Sequence, residues 1–318
     1  MEKQRNFSKL IRGIAAEEGL SLLSLSDDWA FILEKDGKRL PVVAHQFPLN
    51  PASVSELCRD KALTYEVLEK AGIPAVPHIF LPNSAYQAYA GGPSTEDQAL
   101  QFLEIEREIV LKDNYGTGGS RVYYAADEEA LAAALAELLP KTTALSLSPY
   151  VRILDEYRAV VLENAVRLVF SKERAYLTAD GVRPLGALLS DAGIDVGRFL
   201  SHSGPYAAYR DPEALHTVPG KGTRIPLNWK HNLGQGASAV LLEEGETKEA
   251  VRALALSASA ALGTRFSSVD VIRDENGLRV LEVNAGVMME HFAGQGPEFY
   301  RMAEEIYRDA LRLSFGSL

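Results

Sequence analysis

Residues 267–286 read SSVDVIRDENGLRVLEVNAG, and this stretch decides the fold. Two runs rich in β-branched residues flank Glu275-Asn276-Gly277, the signature of a β-hairpin. Alternation puts Val269, Val271, Leu281 and Val283 on one face. It puts Asp270, Glu282 and Asn284 on the other, given an odd number of residues in the turn around Asn276-Gly277. Asp270 is then expected opposite Glu282. Two carboxylates side by side repel unless a cation shares the site. Two carboxylates and an amide are hard oxygen donors that suit Mg²⁺. Taken alone, a hairpin with one solvated acidic face explains the pattern more simply, so the reading depends on what accompanies it.

Residues 108–124, EIVLKDNYGTGGSRVYY, supply the first companion. A short strand delivers Lys112, and Gly116, Thr117, Gly118, Gly119 and Ser120 follow. Glycines let backbone N–H groups turn towards an anion. The stretch lacks the Gly-Lys-Ser/Thr ending of a Walker A loop. A strand follows it where a dinucleotide fingerprint needs a helix. A glycine-rich hairpin turn without a ligand fits these residues equally well.

The second companion is charge. The chain of 318 residues has 33 Lys and Arg against 43 Asp and Glu, a net charge of −10. Residues 172–232 nevertheless carry a net +2, and the rest carries −12. A positive segment in an acidic chain suits an anionic ligand. Arg158 and Lys172 lie on the preceding strands, and NWKHNLGQGAS at 228–238 contributes Lys230 and Asn232. The overall acidity argues against nucleic acid as a partner.

Further exclusions follow. Cys58 is the only cysteine, so neither an intramolecular disulfide nor a Cys/His zinc array can form. The N-terminus has no apolar signal segment, and no stretch is long and apolar enough to span a membrane. A cytoplasmic protein without membrane attachment is expected. Gly-x-Ser-x-Gly is absent, as is any His-x-x-x-His pair.

The remaining chain alternates helical and strand patterns. Helices are expected at 7–18, 60–71, 128–139, from Thr247 to Leu262, and from Pro297 to about Leu313. A hairpin turning at Asp36-Gly37 is expected after Trp29, and strands at 145–151, 156–162 and 165–171. Residues 45–56 read as a connection, 83–98 as a loop around Gly91-Gly92-Pro93, and 175–226 as an irregular segment. Arg198, Arg210 and Lys221 read as scattered surface charges. Frequent hairpins favour α/β (α+β) lobes with antiparallel sheets over a doubly wound parallel sheet.

In this order the pieces resemble the ATP-grasp superfamily, closest to the ribosomal-protein S6 glutamate ligase (RimK-like) group of carboxylate–amine ligases. DKALTYEVLEKAGIPAVP, IVLKDNYGTGGSRV, DEYRAVVLENAVRLVFSKER, NWKHNLGQGAS and VDVIRDENGLRVLEVNAG carry the resemblance, over about Asp60 to Phe292. It implies an ATP-grasp fold, two α+β lobes clasping ATP after a short N-terminal α/β lobe. The expected divisions are 1–59, 60–148 and 149–318. It implies that Lys61, Lys112 and the 116–120 backbone contact ATP phosphates, and that Tyr150 and Val151 face adenine. Lys172 joins the nucleotide site. Asp270, Glu282 and Asn284 would hold Mg²⁺, or Mn²⁺ in its place. Arg158, Lys230 and Asn232 would act on the acyl phosphate or the acceptor. The hinge SLSPYVRIL lacks the acid that often binds ribose, and Asn284 is followed by Ala285-Gly286 instead of a small residue and proline.

The implied reaction converts a carboxylate to an acyl phosphate with ATP. An amine then attacks, giving an amide, ADP and phosphate. Amino acids or a short peptide are the substrates implied. A homo-oligomer is left open. Two alternatives remain: a kinase acting on a small-molecule hydroxyl, and a nucleotide-binding module without turnover.

Overall fold

The computed structural model describes residues 5–316 apart from 84, 86, 88–92, 202–203, 207–208 and 210. Gly91, Gly92 and Arg210 therefore lie outside the described residues. Contacts group the chain into two units, each discontinuous in sequence. Unit one is Met1–Val76, Arg152–Ser171 and Ala239–Leu318; unit two is Pro77–Val151 and Lys172–Ser238.

The strands run in chain order as follows. β1 (Ser21–Leu25), β2 (Ala30–Lys35) and β3 (Lys38–Val43) form an antiparallel sheet. β4 (Ile79–Pro82), β5 (Ile109–Asp113), β6 (Val122–Ala125) and β7 (Ala144–Pro149) form a second, in the order β4-β7-β5-β6. β8 (Asp155–Leu162) and β9 (Ala165–Glu173) precede a two-stranded ribbon of β10 (Tyr176–Thr178) and β11 (Arg224–Pro226). β12 (Ser238–Leu241), β13 (Phe266–Asp274) and β14 (Gly277–Asn284) complete a five-stranded sheet ordered β12-β9-β8-β13-β14. The ladders β1–β2, β2–β3, β4–β7, β5–β7, β5–β6, β8–β9, β8–β13, β10–β11 and β13–β14 are antiparallel, as the hairpin-rich sequence implies.

In unit one, the helix Glu246–Leu262 buries Val251, Ala255, Ala258 and Leu262 against Ala159, Val161, Val269, Val271, Val280 and Val283. Each fully buried valine or leucine of this kind stabilises the fold by about 1.5–3 kcal/mol. This packing fixes one face of the five-stranded sheet as apolar. Strand alternation then sends Arg158 and Asp270 to the opposite face. Phe7, Phe47 and Tyr307 form an aromatic cluster, and the Tyr307 ring lies 5.3 Å from each of the two Phe rings. The Tyr307 hydroxyl donates to the Val287 carbonyl at 2.8 Å and accepts from the Met289 N–H at 3.0 Å. The chain leaving the acidic hairpin is thereby pinned to the helix Pro297–Phe315.

In unit two, the sheet packs Leu111, Leu145 and Leu147 against Leu131, Leu135 and Leu138 of the helix Glu128–Leu138. Asp127 caps that helix, accepting from the Ala130 N–H at 2.8 Å.

Several local expectations need correction. The turn of the acidic hairpin holds two residues, Glu275 and Asn276, since Asp274 pairs with Gly277. The extra residue is Leu281, bulged out between the pairs Val271–Val280 and Asp270–Glu282. Val280 instead of Leu281 consequently joins the buried set. Residues 45–56 are not all connection, because Ala52–Arg59 is helical. The loop expected at 83–98 ends early: Ser94 caps the helix Thr95–Glu106 through the Asp97 N–H. The helix expected from Thr247 starts at Glu246, after Gly245.

The larger correction concerns 175–226. Alongside β10 and β11 it holds the helices Leu185–Asp191 and Val196–Ser201. Ala179, Leu185, Leu188, Leu189, Phe199 and Ile225 form its own small core. Its apolar residues are spread thinly between glycines and prolines, so no single window shows a helical period. Among the described residues, no helix is long and apolar enough to cross a membrane.

Candidate active site

Three strands of unit one set a row of charge. Asp270 on β13 pairs in register with Arg158 on β8 and with Glu282 on β14. Arg158 donates from Nε to Asp270 Oδ1 and from Nη2 to Oδ2, both at 2.6 Å. Such a two-point charge-assisted pair fixes both side chains. Asp270 is 2% exposed. Burial works to lower the Arg158 pKa, but the Asp270 charge and hydrogen bonds, with Glu282 and Glu156 assisting, raise it overall. The guanidinium is permanently charged here. Asn284 follows on the same face as Glu282 and donates from Nδ2 to Glu282 Oε1 at 3.1 Å. The bulge at Leu281 is what lets a two-residue turn bring Glu282 opposite Asp270.

Among the described residues, no group of three or more His, Cys, Asp or Glu is placed to hold a metal ion. The Asp270, Glu282 and Asn284 set has two acids and an amide, all oxygen donors of the type Mg²⁺ takes. The donor chemistry therefore fits the cation that the resemblance implies. Lys61, also in unit one, is the first residue of a helix capped by Asp60, whose carboxylate accepts from the Leu63 N–H at 2.9 Å.

Unit two assembles the glycine loop. Lys112 lies on β5, every residue of which is buried, and pairs with Val122 and Ser146. The loop spans β5 and β6. Asp113, which sequence reasoning missed, ties its base. Its carboxylate accepts from the Tyr115 N–H at 3.0 Å and from Thr142 Oγ1 at 2.9 Å, and pairs with Arg121 at 2.7 Å. A buried acid that serves its own turn leaves no period to find; only its place next to Lys112 hinted at it.

The segment 228–238 clasps the tip of that loop. Asn232 Nδ2 donates to the Gly118 carbonyl at 2.9 Å. Lys230 Nζ and Gln235 Nε2 both donate to the Gly119 carbonyl at 3.1 Å. Gly119 has φ +67°, and a Cβ there would lie 2.5 Å from Asn232 Nδ2. The left-handed conformation favours glycine, and a Cβ would displace the Asn232 amide from the loop. Gln235 is a further residue not singled out from the sequence. Burial pulls the Lys230 ammonium down to about 8. Lys172, 5% exposed, presents its carbonyl to His231 Nδ1 at 2.7 Å. Beyond β7, the Tyr150 N–H is taken by the Glu108 carbonyl at 2.8 Å, so that amide is not offered to a base. The Tyr150 ring lies 5.2 Å from that of Tyr124 and 6.4 Å from that of Trp229.

The expected residues thus fall into two assemblies. Arg158, Asp270, Glu282 and Asn284 form one. Lys230, Asn232 and the 116–120 loop form the other.

No protein-family model matches the chain. It is 25% identical over 247 residues to tetrahydromethanopterin:alpha-L-glutamate ligase of Methanocaldococcus jannaschii, covering 77% of this chain and 65% of that protein. It is 23% identical over 309 residues to the glutathione biosynthesis bifunctional protein of Enterococcus faecalis, covering 89% of this chain and 40% of that one. The chain thus spans less than two thirds of the length of either curated relative. Among solved structures, a bifunctional glutathione synthetase from Pasteurella multocida superposes with a TM-score of 0.55 at 17% identity, over 99% of this chain and 44% of that one. A D-alanine–D-alanine ligase from Bacillus anthracis gives 0.52 at 15%, over 86% and 72%. The fold is that of the ATP-grasp carboxylate–amine ligases.

Proposed function

We propose that this chain is an ATP-dependent carboxylate–amine ligase acting on amino acids or a short peptide, in the manner of the RimK-like group. The observation that carries the reading is the row Arg158–Asp270–Glu282–Asn284, set on adjacent strands of an ATP-grasp fold.

A carboxylate is a poor electrophile, because its leaving group would be oxide. Its attack on the γ-phosphate of ATP gives an acyl phosphate with a good leaving group. Lys61, Lys112, Lys172 and the 116–120 backbone are assigned to the phosphates, with Tyr150 and Val151 beside the adenine. Asp270, Glu282 and Asn284 are assigned to Mg²⁺, which supplies neutralisation of phosphate charge when bound. Mn²⁺ has the same oxygen-ligand chemistry.

The second step is attack of an amine on the acyl phosphate. Arg158 uses Nε and Nη2 on Asp270, so its Nη1 remains to meet the developing oxyanion. Lys230 and Asn232 already hold the glycine-loop carbonyls, and they couple loop position to the reacting groups. The loop excludes water, which protects an acyl phosphate from hydrolysis. With an ammonium pulled down to about 8, Lys230 also sheds a proton more readily than an exposed lysine.

The test is a screen of amino-acid pairs for ATP-dependent phosphate release, with mass spectrometry on the products. A new amide with ADP and phosphate is expected. A phosphorylated alcohol as sole product would replace the reading with a kinase. ATP binding with no turnover on any pair would leave a nucleotide-binding module. Cell fractionation placing the protein in the cytosol is expected.

A further inference from the structure

β14 is an edge strand of the five-stranded sheet. Its outer side is tied near the turn. There the Val280 N–H donates to the Pro74 carbonyl and the Val280 carbonyl accepts from the Val76 N–H, both at 2.8 Å. The far end of β14 carries Asn284, which forms the outermost pair of the β13–β14 ladder with Ser268. Strand ends fray more readily than strand centres, and this end bears a residue assigned to the metal site.

Asn50 takes over where that ladder stops. Its Nδ2 donates to the Phe266 carbonyl at 2.6 Å and to the Ala285 carbonyl at 3.2 Å. Its Oδ1 accepts from the Arg265 N–H at 2.7 Å and from the Phe266 N–H at 3.1 Å. Arg265 precedes β13, Phe266 opens it, and Ala285 follows the end of β14. A primary amide has two N–H donors and an oxygen with two lone pairs, and all four are used here. One side chain therefore bridges both strands at the open end of the acidic hairpin. The neighbours of Asn50 close in on the same point. The Phe47 ring meets the Phe266 ring edge-on at 5.2 Å. A Cβ on Gly286 would lie 3.3 Å from Gln46 Cγ, so the chain beyond Asn284 runs tight against Gln46. All these residues belong to unit one.

The bonding pattern selects asparagine. Aspartate has the same shape but no donor, and would set a carboxylate against two carbonyls. A shorter side chain leaves backbone groups of both strands unpaired, which is costly where they are shielded from water.

We propose that Asn50 is a positioning residue for the divalent cation: by clamping the open end of the acidic hairpin, it keeps Asn284, and through it Glu282, aligned with Asp270. The word cation rests on the ligase reading; the clamp itself does not. Asn284 is the link, because its peptide leads directly to Ala285 and its Nδ2 donates to Glu282 Oε1 at 3.1 Å. Asp270 depends less on the clamp, since Arg158 holds both its oxygens. Groups that orient a metal ligand are worth about 10–100-fold in metal affinity.

The test compares wild type, Asn50→Asp, Asn50→Ser and Leu33→Ala as full chains. Leu33 is buried on β2 between Leu22 and Leu40, so its truncation reports lost stability alone. Amide hydrogen exchange is followed by mass spectrometry. Mn²⁺ binding in the presence of ADP is read by electron paramagnetic resonance, against ADP without protein. In both Asn50 variants, exchange is expected to quicken in peptides covering 265–266 and 283–287, and Mn²⁺ affinity to fall at least tenfold. Leu33→Ala is expected to keep the wild-type Mn²⁺ affinity. Unchanged exchange in those peptides overturns the clamp. Wild-type Mn²⁺ affinity in the Asn50 variants, an equal loss in Leu33→Ala, or no Mn²⁺ binding in wild type overturns the positioning role. If Asn50→Asp does not fold, Asn50→Ser, which keeps one donor, decides alone. An Asn50-dependent Mn²⁺ site in a protein that makes no amide from any amino-acid pair ends the ligase reading and leaves the clamp. Amide formation with a Mn²⁺ affinity indifferent to Asn50 does the reverse.

Discussion

Arg158 and Asp270 face each other across adjacent antiparallel strands, joined by two hydrogen bonds of 2.6 Å. Asp270 is almost wholly buried. Replacing one partner strands the other in a low-dielectric site. Asp270→Asn is expected to lower unfolding stability by about 3–5 kcal/mol, because it leaves a buried guanidinium uncompensated. Urea unfolding checks this. A loss below about 1 kcal/mol would mean that water already screens the pair, as it does for exposed ion pairs.

Lys230 gives a pH dependence of defined sign. Its ammonium titrates near 8 in the fold, against an ordinary 10.5, because burial penalises the charge. Between those values the unfolded chain holds a proton that the folded chain does not. Stability contributed at this site therefore rises as pH increases from about 8 to about 10.5. Below about 8 the lysine is charged in both states, and the burial penalty is felt in full. Lys230→Met is expected to flatten the rise and to stabilise the fold at pH 7. Unfolding curves across that window, for both proteins, decide it; parallel profiles would refute the assignment.

Gly119→Ala tests the clasp on the glycine loop. The added methyl meets Asn232 Nδ2 at 2.5 Å in a left-handed backbone. The contacts of Lys230, Asn232 and Gln235 with the loop carbonyls cannot all survive. ATP affinity is expected to fall at least tenfold, with faster proteolytic cleavage inside 115–121. The global unfolding midpoint should move little, since the loop lies outside the buried core. Unchanged cleavage would show that the loop is held by its Asp113 base alone.

Legibility followed the period of each segment. The hairpin at Asp36-Gly37 was readable because both residues favour positive φ, and both adopt it, at 50° and 76°. The acidic hairpin was readable because valine alternation left Asp270 and Glu282 on one side. Its bulge was not, since a bulge at Leu281 and an odd turn both place Glu282 opposite Asp270. The helix Ala52–Arg59 was hidden by its polar composition and by Pro51 at its start. Segment 175–226 was hidden for a different reason: its core joins residues from Ala179 to Ile225, and no local window contains it. In the candidate site, Asp113 and Gln235 escaped notice because they serve loop carbonyls and amides, a role that leaves no periodic trace.

Glu282 separates a structural acid from a metal-binding one. It stands opposite Asp270, yet it is only partly buried, and its hydrogen bond comes from Asn284 instead of a guanidinium. Glu282→Gln removes one charge while keeping the size and the contact with Asn284. It also lessens repulsion on Asp270, so stability should change by less than about 1 kcal/mol. A hard divalent cation loses far more, because a neutral amide is a weaker ligand than a carboxylate. The Mg²⁺ concentration needed for half-maximal ATP-dependent phosphate release is therefore expected to rise at least tenfold, with the unfolding midpoint nearly constant. Asp270→Asn should move both quantities. If Glu282→Gln shifted stability as strongly as Asp270→Asn and left the Mg²⁺ requirement alone, the row would be a structural network and not a metal site.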